Sequence, residues 1–246
     1  MAEELDTVVQ YGLALGWHLR PRTVLVEGTT DAELFHSAAR LELQTNSVDL
    51  LGRELTIVAA GAGDRGGTRG VIRELVCLRG LARTSLLPNG RPRFRFIGLF
   101  DNDKAGKQAV SAARTFDISI LEYKDVFRIQ PVMPTTGNLD PKTLQHSFER
   151  LNAEYRGLDW ELEDLLPAQF LAAFFADRPT AVARTTRIGG KTHRDLTPDG
   201  KARLHQFIKL HAIREDLGAV IEVLHALRFY LGLQPAAASG HVGPGH

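Results

Sequence analysis

Thr23-Val24-Leu25-Val26-Glu27-Gly28-Thr29-Thr30-Asp31 decides the fold: a short apolar run enters an acidic turn and then a helix. After the turn, Ala32, Leu34, Phe35, Ala38, Ala39 and Leu41 recur at helical spacing over Thr30 to Leu43. The same arrangement returns about seventy residues later, where Phe94-Arg95-Phe96-Ile97-Gly98-Leu99 leads into Phe100-Asp101-Asn102-Asp103-Lys104-Ala105-Gly106-Lys107. Ligand sites in open α/β sheets lie beyond the carboxyl ends of the strands, so acidic groups at two such ends can meet in space. Asp is common at helix caps and turns, which accounts for each cluster singly but not for the repeat. Converging carboxylates are hard oxygen donors, suited to Mg²⁺ or Mn²⁺.

Glu27-Gly28 and Asp101-Asn102-Asp103 resemble the paired signature of the TOPRIM domain, shared by topoisomerases, bacterial primases and overcoming-lysogenisation-defect (OLD) nucleases. Asp103-Lys104-Ala105-Gly106 is similar to the primase form of the second motif, whereas Glu27-Gly28 followed by Asp31 and Ala32-Glu33-Leu34-Phe35 is closer to the OLD form. The resemblance implies a Rossmann-like α/β domain that binds divalent metal and acts on phosphodiesters. Trp160-Glu161-Leu162-Glu163-Asp164-Leu165 resembles the segment that supplies a further carboxylate in OLD-type nucleases, which adds Glu163 and then Asp164 as candidate ligands. An acidic first helical turn is the alternative reading of that segment. The family also brings a downstream lysine to the scissile phosphate. Lys201 is the first candidate here, followed by Lys209 and Lys191.

Outward from the two clusters, Leu55-Thr56-Ile57-Val58-Ala59-Ala60 reads as a second strand, Thr68 to Leu81 and Ala105 to Thr115 as helices, and Ile118 to Tyr123 as a further strand. This βαβ alternation predicts a mainly parallel sheet with right-handed crossovers. The expected organisation is a leading helix over 1–19, a TOPRIM core over 20–140, a mostly helical C-terminal region over 141–234 that completes the site, and a disordered tail over 235–246.

The 246 residues, 43% hydrophobic and 24% charged, are ordinary for a globular protein, and the formal net charge of +1 does not itself announce nucleic acid. The distribution of charge is uneven. Arg65, Arg69, Arg73, Arg79, Arg83, Arg91, Arg93 and Arg95 share a segment with one acid, Glu74, and a second basic segment spans Arg178 to Arg214. Basic segments around an acidic centre suit a phosphodiester, with arginines holding the phosphates beside the scissile one. Arg65 and Arg69 flank the glycine-rich turn Gly61 to Gly67, and with Lys104, Lys107 and Lys191 they are the candidate nucleic-acid contacts. Solvated basic faces are the plainer reading.

Other chemistries are poorly supported. Gly61-x-Gly63-x-x-Gly66 has the form of a dinucleotide fingerprint but lacks the acid about twenty residues on. Gly190-Lys191-Thr192 ends like a P-loop, yet Thr185 stands where the first glycine belongs. The lone Cys77, expected as a buried helical thiol, excludes an internal disulfide, and no His-x-x-x-His pair occurs. Without a secretory signal or long apolar run, a cytoplasmic protein with no membrane association is expected.

The reading is therefore a metal-dependent endonuclease or nickase of OLD-like TOPRIM type, with DNA favoured over RNA as substrate and RNA left open. Two ions roughly 4 Å apart would serve it, one on Asp101 and Asp103 and one on Glu27, Asp31 and Glu163, with Glu27 alternatively the general base. The family resemblance further implies a separately encoded ATPase or regulatory subunit, a role of the kind found in defence against phage, and leaves room for a homo-oligomer. A primase-like nucleotidyl transferase and a non-catalytic scaffold are the rival readings.

Overall fold

The computed structural model describes residues 6–61 and 66–236. Arg65 and most of the expected disordered tail lie outside the described residues. Helix α1 (Thr7–Ala14) is capped by Asp6, whose carboxylate accepts the Val8 amide at 2.9 Å. It is shorter than the leading helix expected over 1–19, because the chain leaves the helix at Gly16, where φ is +76°.

Strands β1 (Arg22–Val26), β2 (Leu55–Ala59), β3 (Arg95–Phe100) and β4 (Val126–Arg128) form one parallel sheet in the order β2-β1-β3-β4. Helices α2 (Thr29–Asn46), α3 (Gly67–Ala82) and α4 (Lys104–Phe116) make the crossovers, giving a Rossmann-like α/β arrangement. Both faces of the sheet are covered, so its strands read as continuous apolar runs. On one face Val24, Val26, Ile57 and Leu99 pack with Leu34 and Phe35 of α2 and with Leu224 and Leu227 of α8 (Gly218–Tyr230). On the other, Leu25, Val58, Phe96 and Phe100 pack with Val71 and Leu75 of α3 and Ala109 and Ala113 of α4.

Two expectations need correction, and one holds with an addition. Residues Ile118 to Tyr123 form turns rather than a strand: the Leu121 amide donates to Asp125 Oδ2 at 3.0 Å and Tyr123 sits at φ +64°, so pairing with β3 begins only at Val126. The segment after 141 is helical over α5 (Pro141–Leu151), α6 (Ala168–Ala176), α7 (Pro198–His211) and α8, but it also carries an antiparallel hairpin, β5 (Val182–Ile188) and β6 (Lys191–Leu196). Cys77 is helical but exposed, since α3 turns Val71, Leu75 and Leu78 inward and Cys77 to the opposite side.

Candidate functional site

The carboxyl ends of β1 and β3 do bring the two acidic clusters together. Glu27 follows β1, and its Oε1 accepts the Asp101 amide, 3.3 Å away, from the residue that follows β3. Glu27, Asp31, Asp101 and Lys201 line one cleft of about 340 Å³ together with Gly61, Gly66 and Gly67. The glycines are needed where backbones crowd. A side chain at Gly66 would meet the Gly61 carbonyl at 2.8 Å, and one at Gly106 would lie 1.9 Å from the Asp101 carbonyl. The first turn of α4 therefore rests directly on the residue that carries the acid.

Asp31 and Asp103 each do two jobs. Asp31 Oδ2 accepts the Gly28 amide at 2.9 Å at the start of α2, and Asp103 Oδ1 accepts the Gly106 amide at 2.7 Å as the N-cap of α4. The helix-cap reading is thus realised for both, while Asp31 also lines the cleft and both carboxylates act electrostatically on Glu27.

The third acidic segment is a short 3₁₀ turn, Leu162–Leu165. Backbone bonds tie it to the end of β3: the Asn102 amide donates to the Trp160 carbonyl at 2.8 Å, and the Leu162 amide donates to Asp101 Oδ1 at 3.1 Å. Glu163 is buried, with its Oε1 3.6 Å from Lys201 Nζ and 3.8 Å from His205 Nε2. Lys201 Nζ also lies 2.8 Å from Glu161 Oε2. Close packing at Gly200, where a Cβ would stand 2.4 Å from the Ala181 carbonyl, seats the start of α7 and so places Lys201.

The electrostatics follow from this crowding. Burial pushes Asp101 well above the usual carboxylate range, and the charges of Glu163 and Asp31 push it further. Burial raises Glu27 to about 7; the Asp101 amide opposes the rise and the charges of Asp31 and Asp103 add to it. Asp31 is raised by burial and by Glu163. Glu163 moves the other way: burial favours its neutral form, but His205 and Lys201 hold it below its ordinary value. For Lys201, burial favours the neutral amine, yet Glu163, Asp101 and Glu161 outweigh it and keep the side chain protonated.

Other candidates fall elsewhere. Asp164 turns away from the cleft to cap its own turn at the Glu161 amide, 2.9 Å, and to meet His193 Nδ1 at 2.6 Å. Lys209 pairs with Glu33 at 2.7 Å on a half-exposed face, eight residues and about 12 Å of helix rise from Lys201. Lys191 stands over the Tyr155 ring at 4.7 Å and pairs with Glu154 at 3.3 Å. Lys107 pairs with Asp159 at 2.8 Å, while Lys104 is exposed at the start of α4. Arg69 is exposed in the first turn of α3, beside the glycines of the cleft. Gly189 and Gly190, at φ +55° and +80°, form the turn of the β5–β6 hairpin, so Gly190-Lys191-Thr192 is no phosphate loop.

Sequence reasoning missed Glu161, His193 and His205. Among the described residues, Glu161, His193 and Asp195 form a group whose ligand atoms lie within 4.8 Å of one another. His193 Nε2 is 3.0 Å from Asp195 Oδ1 while Nδ1 is 2.6 Å from Asp164 Oδ2, so both ring nitrogens already face carboxylates. Oxygen and nitrogen donors of this kind suit a divalent cation only where Nε2 gives up its proton. Beside the cleft, buried His205 Nε2 has no hydrogen-bond partner among the described residues, and Glu161 Oε2 has an ion pair without hydrogen-bond geometry. The forewarning was slight: apolar–polar alternation in Trp160 to Leu165, and the Gly189-Gly190 pair ahead of Lys191 to Leu196.

Comparison with protein-family models, curated proteins and solved structures found no match. Among the described residues, no helix is long and apolar enough to cross a membrane.

Proposed function

We propose that the chain is a divalent-metal-dependent phosphodiesterase of OLD-like TOPRIM type that cleaves or nicks DNA. One observation carries the reading: Glu27, Asp31 and Asp101, from two strand ends, share a cleft with a protonated Lys201 that also touches Glu163. Clustered buried carboxylates cost stability unless a cation offsets them, and Lys201 is one charge among several acids. Asp101 with Asp103, and Glu27 with Asp31 and Glu163, are the residues that would hold Mg²⁺ or Mn²⁺. Bound there, such ions would make an attacking water more acidic and would offset charge on the leaving oxygen.

The protein groups then divide the remaining work. In the alternative in which Asp31 and Glu163 hold the second ion without it, Glu27, raised by burial to about 7, is placed to take a proton from the attacking water near neutral pH. Lys201 offers a fixed positive charge to a non-bridging oxygen of the scissile phosphate. The partner proposed is a separately encoded ATPase, because the Gly190-Lys191-Thr192 turn leaves the described chain without a phosphate loop. Supercoiled plasmid incubated with Mg²⁺ or Mn²⁺ tests the activity: wild type converts it to open-circular or linear form, and Asp101→Asn or Glu27→Gln does not. Undiminished cleavage in excess chelator would overturn the reading. The scaffold alternative draws on a different feature, the ion pairs of Lys201 with Glu161 and Glu163, which neutralise part of the cluster without metal. A folded wild-type protein that neither cuts nor gains stability from either metal would favour it.

A further inference from the structure

The arginine-rich segment does not form one surface around the carboxylates. Arg69 stays beside the cleft, but Arg79, Arg83, Arg91 and Arg95 gather with Arg22 around a separate cavity of about 400 Å³ at the other end of the sheet. Arg22 opens β1 and Arg95 opens β3, and the two are register partners on neighbouring parallel strands. From Arg95 to Asp101 the strand rise amounts to about 20 Å, so this cavity is distinct from the acidic cleft.

Two like charges side by side on adjacent strands are unfavourable, and here three more join them. The acids available are Asp125, which lines the cavity and pairs with Arg79, and Asp117, 3.7 Å from Arg79 and 3.9 Å from Arg83. Among the described residues, no carboxylate lies within ion-pair distance of Arg22, Arg91 or Arg95. Arg22 is instead held by carbonyls, Nη1 donating to Pro21 at 3.0 Å and Nε to Leu231 at 3.3 Å; Arg95 donates to the Lys124 carbonyl at 3.4 Å. Burial, and then the charges of Arg22 and Arg79 against that of Asp125, lower the affinity of Arg95 for its proton. Arg83 and Arg91 stand exposed at the rim. Pro92 gives the same cavity an exposed apolar edge, with the nearly buried Ala82, Phe94 and Phe96 behind it.

Fixed guanidiniums, exposed guanidiniums at the rim and an apolar edge, in a cavity near the lower end of the roughly 300–1,000 Å³ range of small-molecule sites, define an anion pocket rather than a flat track. We propose that this cavity binds a phosphorylated small molecule of nucleotide size, its phosphates on Arg83, Arg91 and Arg95 and its apolar part against Pro92 and the arginine stems. The site is independent of the proposed nuclease centre.

The test is calorimetric titration of the full chain with ADP and with pyrophosphate, in excess chelator so that no metal at the carboxylates takes part, and at constant ionic strength. Saturable one-to-one binding is expected, weakened about tenfold by Arg91→Ala or Arg83→Ala, the loss of one charge-assisted bond. Both side chains are exposed, so neither change threatens folding, which thermal melts of the variants check. Binding should persist in Asp101→Asn. No saturable binding, or binding untouched by both arginine changes, overturns the proposal. Tight binding of a single-stranded oligonucleotide with none of ADP or pyrophosphate overturns it too, in favour of a nucleic-acid surface.

Discussion

Replacing Lys201 by Met removes the cation that holds the cleft together while keeping an unbranched apolar stem, so it tests the electrostatic account directly. Lys201 Nζ stands 2.8 Å from Glu161 Oε2 and 3.6 Å from Glu163 Oε1. At an effective dielectric constant of about 20, these two attractions are about 6 and 5 kcal/mol before any cost is subtracted. The desolvation of the amine offsets much of that, and its side chain keeps 33% exposure, so screening reduces the remainder. The expected net loss is about 2–4 kcal/mol at neutral pH, most of it the penalty of leaving Glu161, Glu163 and Asp101 without compensation.

The sign of the pH effect follows. In the variant these carboxyls shift up and bind more protons folded than unfolded, so the loss should shrink as pH falls toward 5. A divalent cation should replace the missing charge: Mg²⁺ or Mn²⁺ should stabilise Lys201→Met more than it stabilises wild type. Urea unfolding near pH 7 and near pH 5, with and without metal, reads all three effects. A loss of stability that is equal at both pH values and indifferent to metal would refute the electrostatic reasoning and reduce Lys201 to a packing residue.

Gly106→Ala would put a Cβ 1.9 Å from the Asp101 carbonyl, so it should lower stability by about 1–3 kcal/mol and displace Asp101; thermal melts and plasmid cleavage check both. His193, raised to about 9 chiefly by its bond to Asp164, contributes stability that is complete below about 6.5 and is lost as pH rises through about 9. His193→Gln should flatten that alkaline loss in a stability–pH series. Lys209→Ala should leave cleavage intact and cost about 0.5 kcal/mol or less, because its pair with Glu33 is half-exposed; loss of cleavage would return Lys209 to the site.

The strand ends were legible because burial on both faces writes β1 and β3 as unbroken apolar runs, and the acids at their ends then stand out. The helices followed from spacing, with α3 at Gly67–Ala82 against an expected Thr68 to Leu81. What failed was local. The chain around Ile118 is apolar enough for a strand, but Ile118 itself is 81% exposed and Asp117 bonds back to Ser119 at 2.9 Å, a turn preference that alternation does not reveal. The hairpin at β5–β6 was hidden because its residues are mostly half-exposed and polar, with Gly189-Gly190 as its one strong signal.

The roles of the third acidic segment show why side-chain assignment lags behind fold. Glu163 and Asp164 are adjacent in a short 3₁₀ turn, and sequence gives no rule for which of them faces the cleft. The structure decides through His193. Because His193 draws Asp164 toward the hairpin at 2.6 Å, the turn is anchored from outside, and Glu163 is left facing Lys201 and His205. The hairpin thus acts on the cleft without entering it: β6 holds Asp164, Asp164 holds the Glu161 amide, and the Leu162 amide of that same turn holds Asp101. A histidine that sequence reading treats as background therefore orients three acids at once.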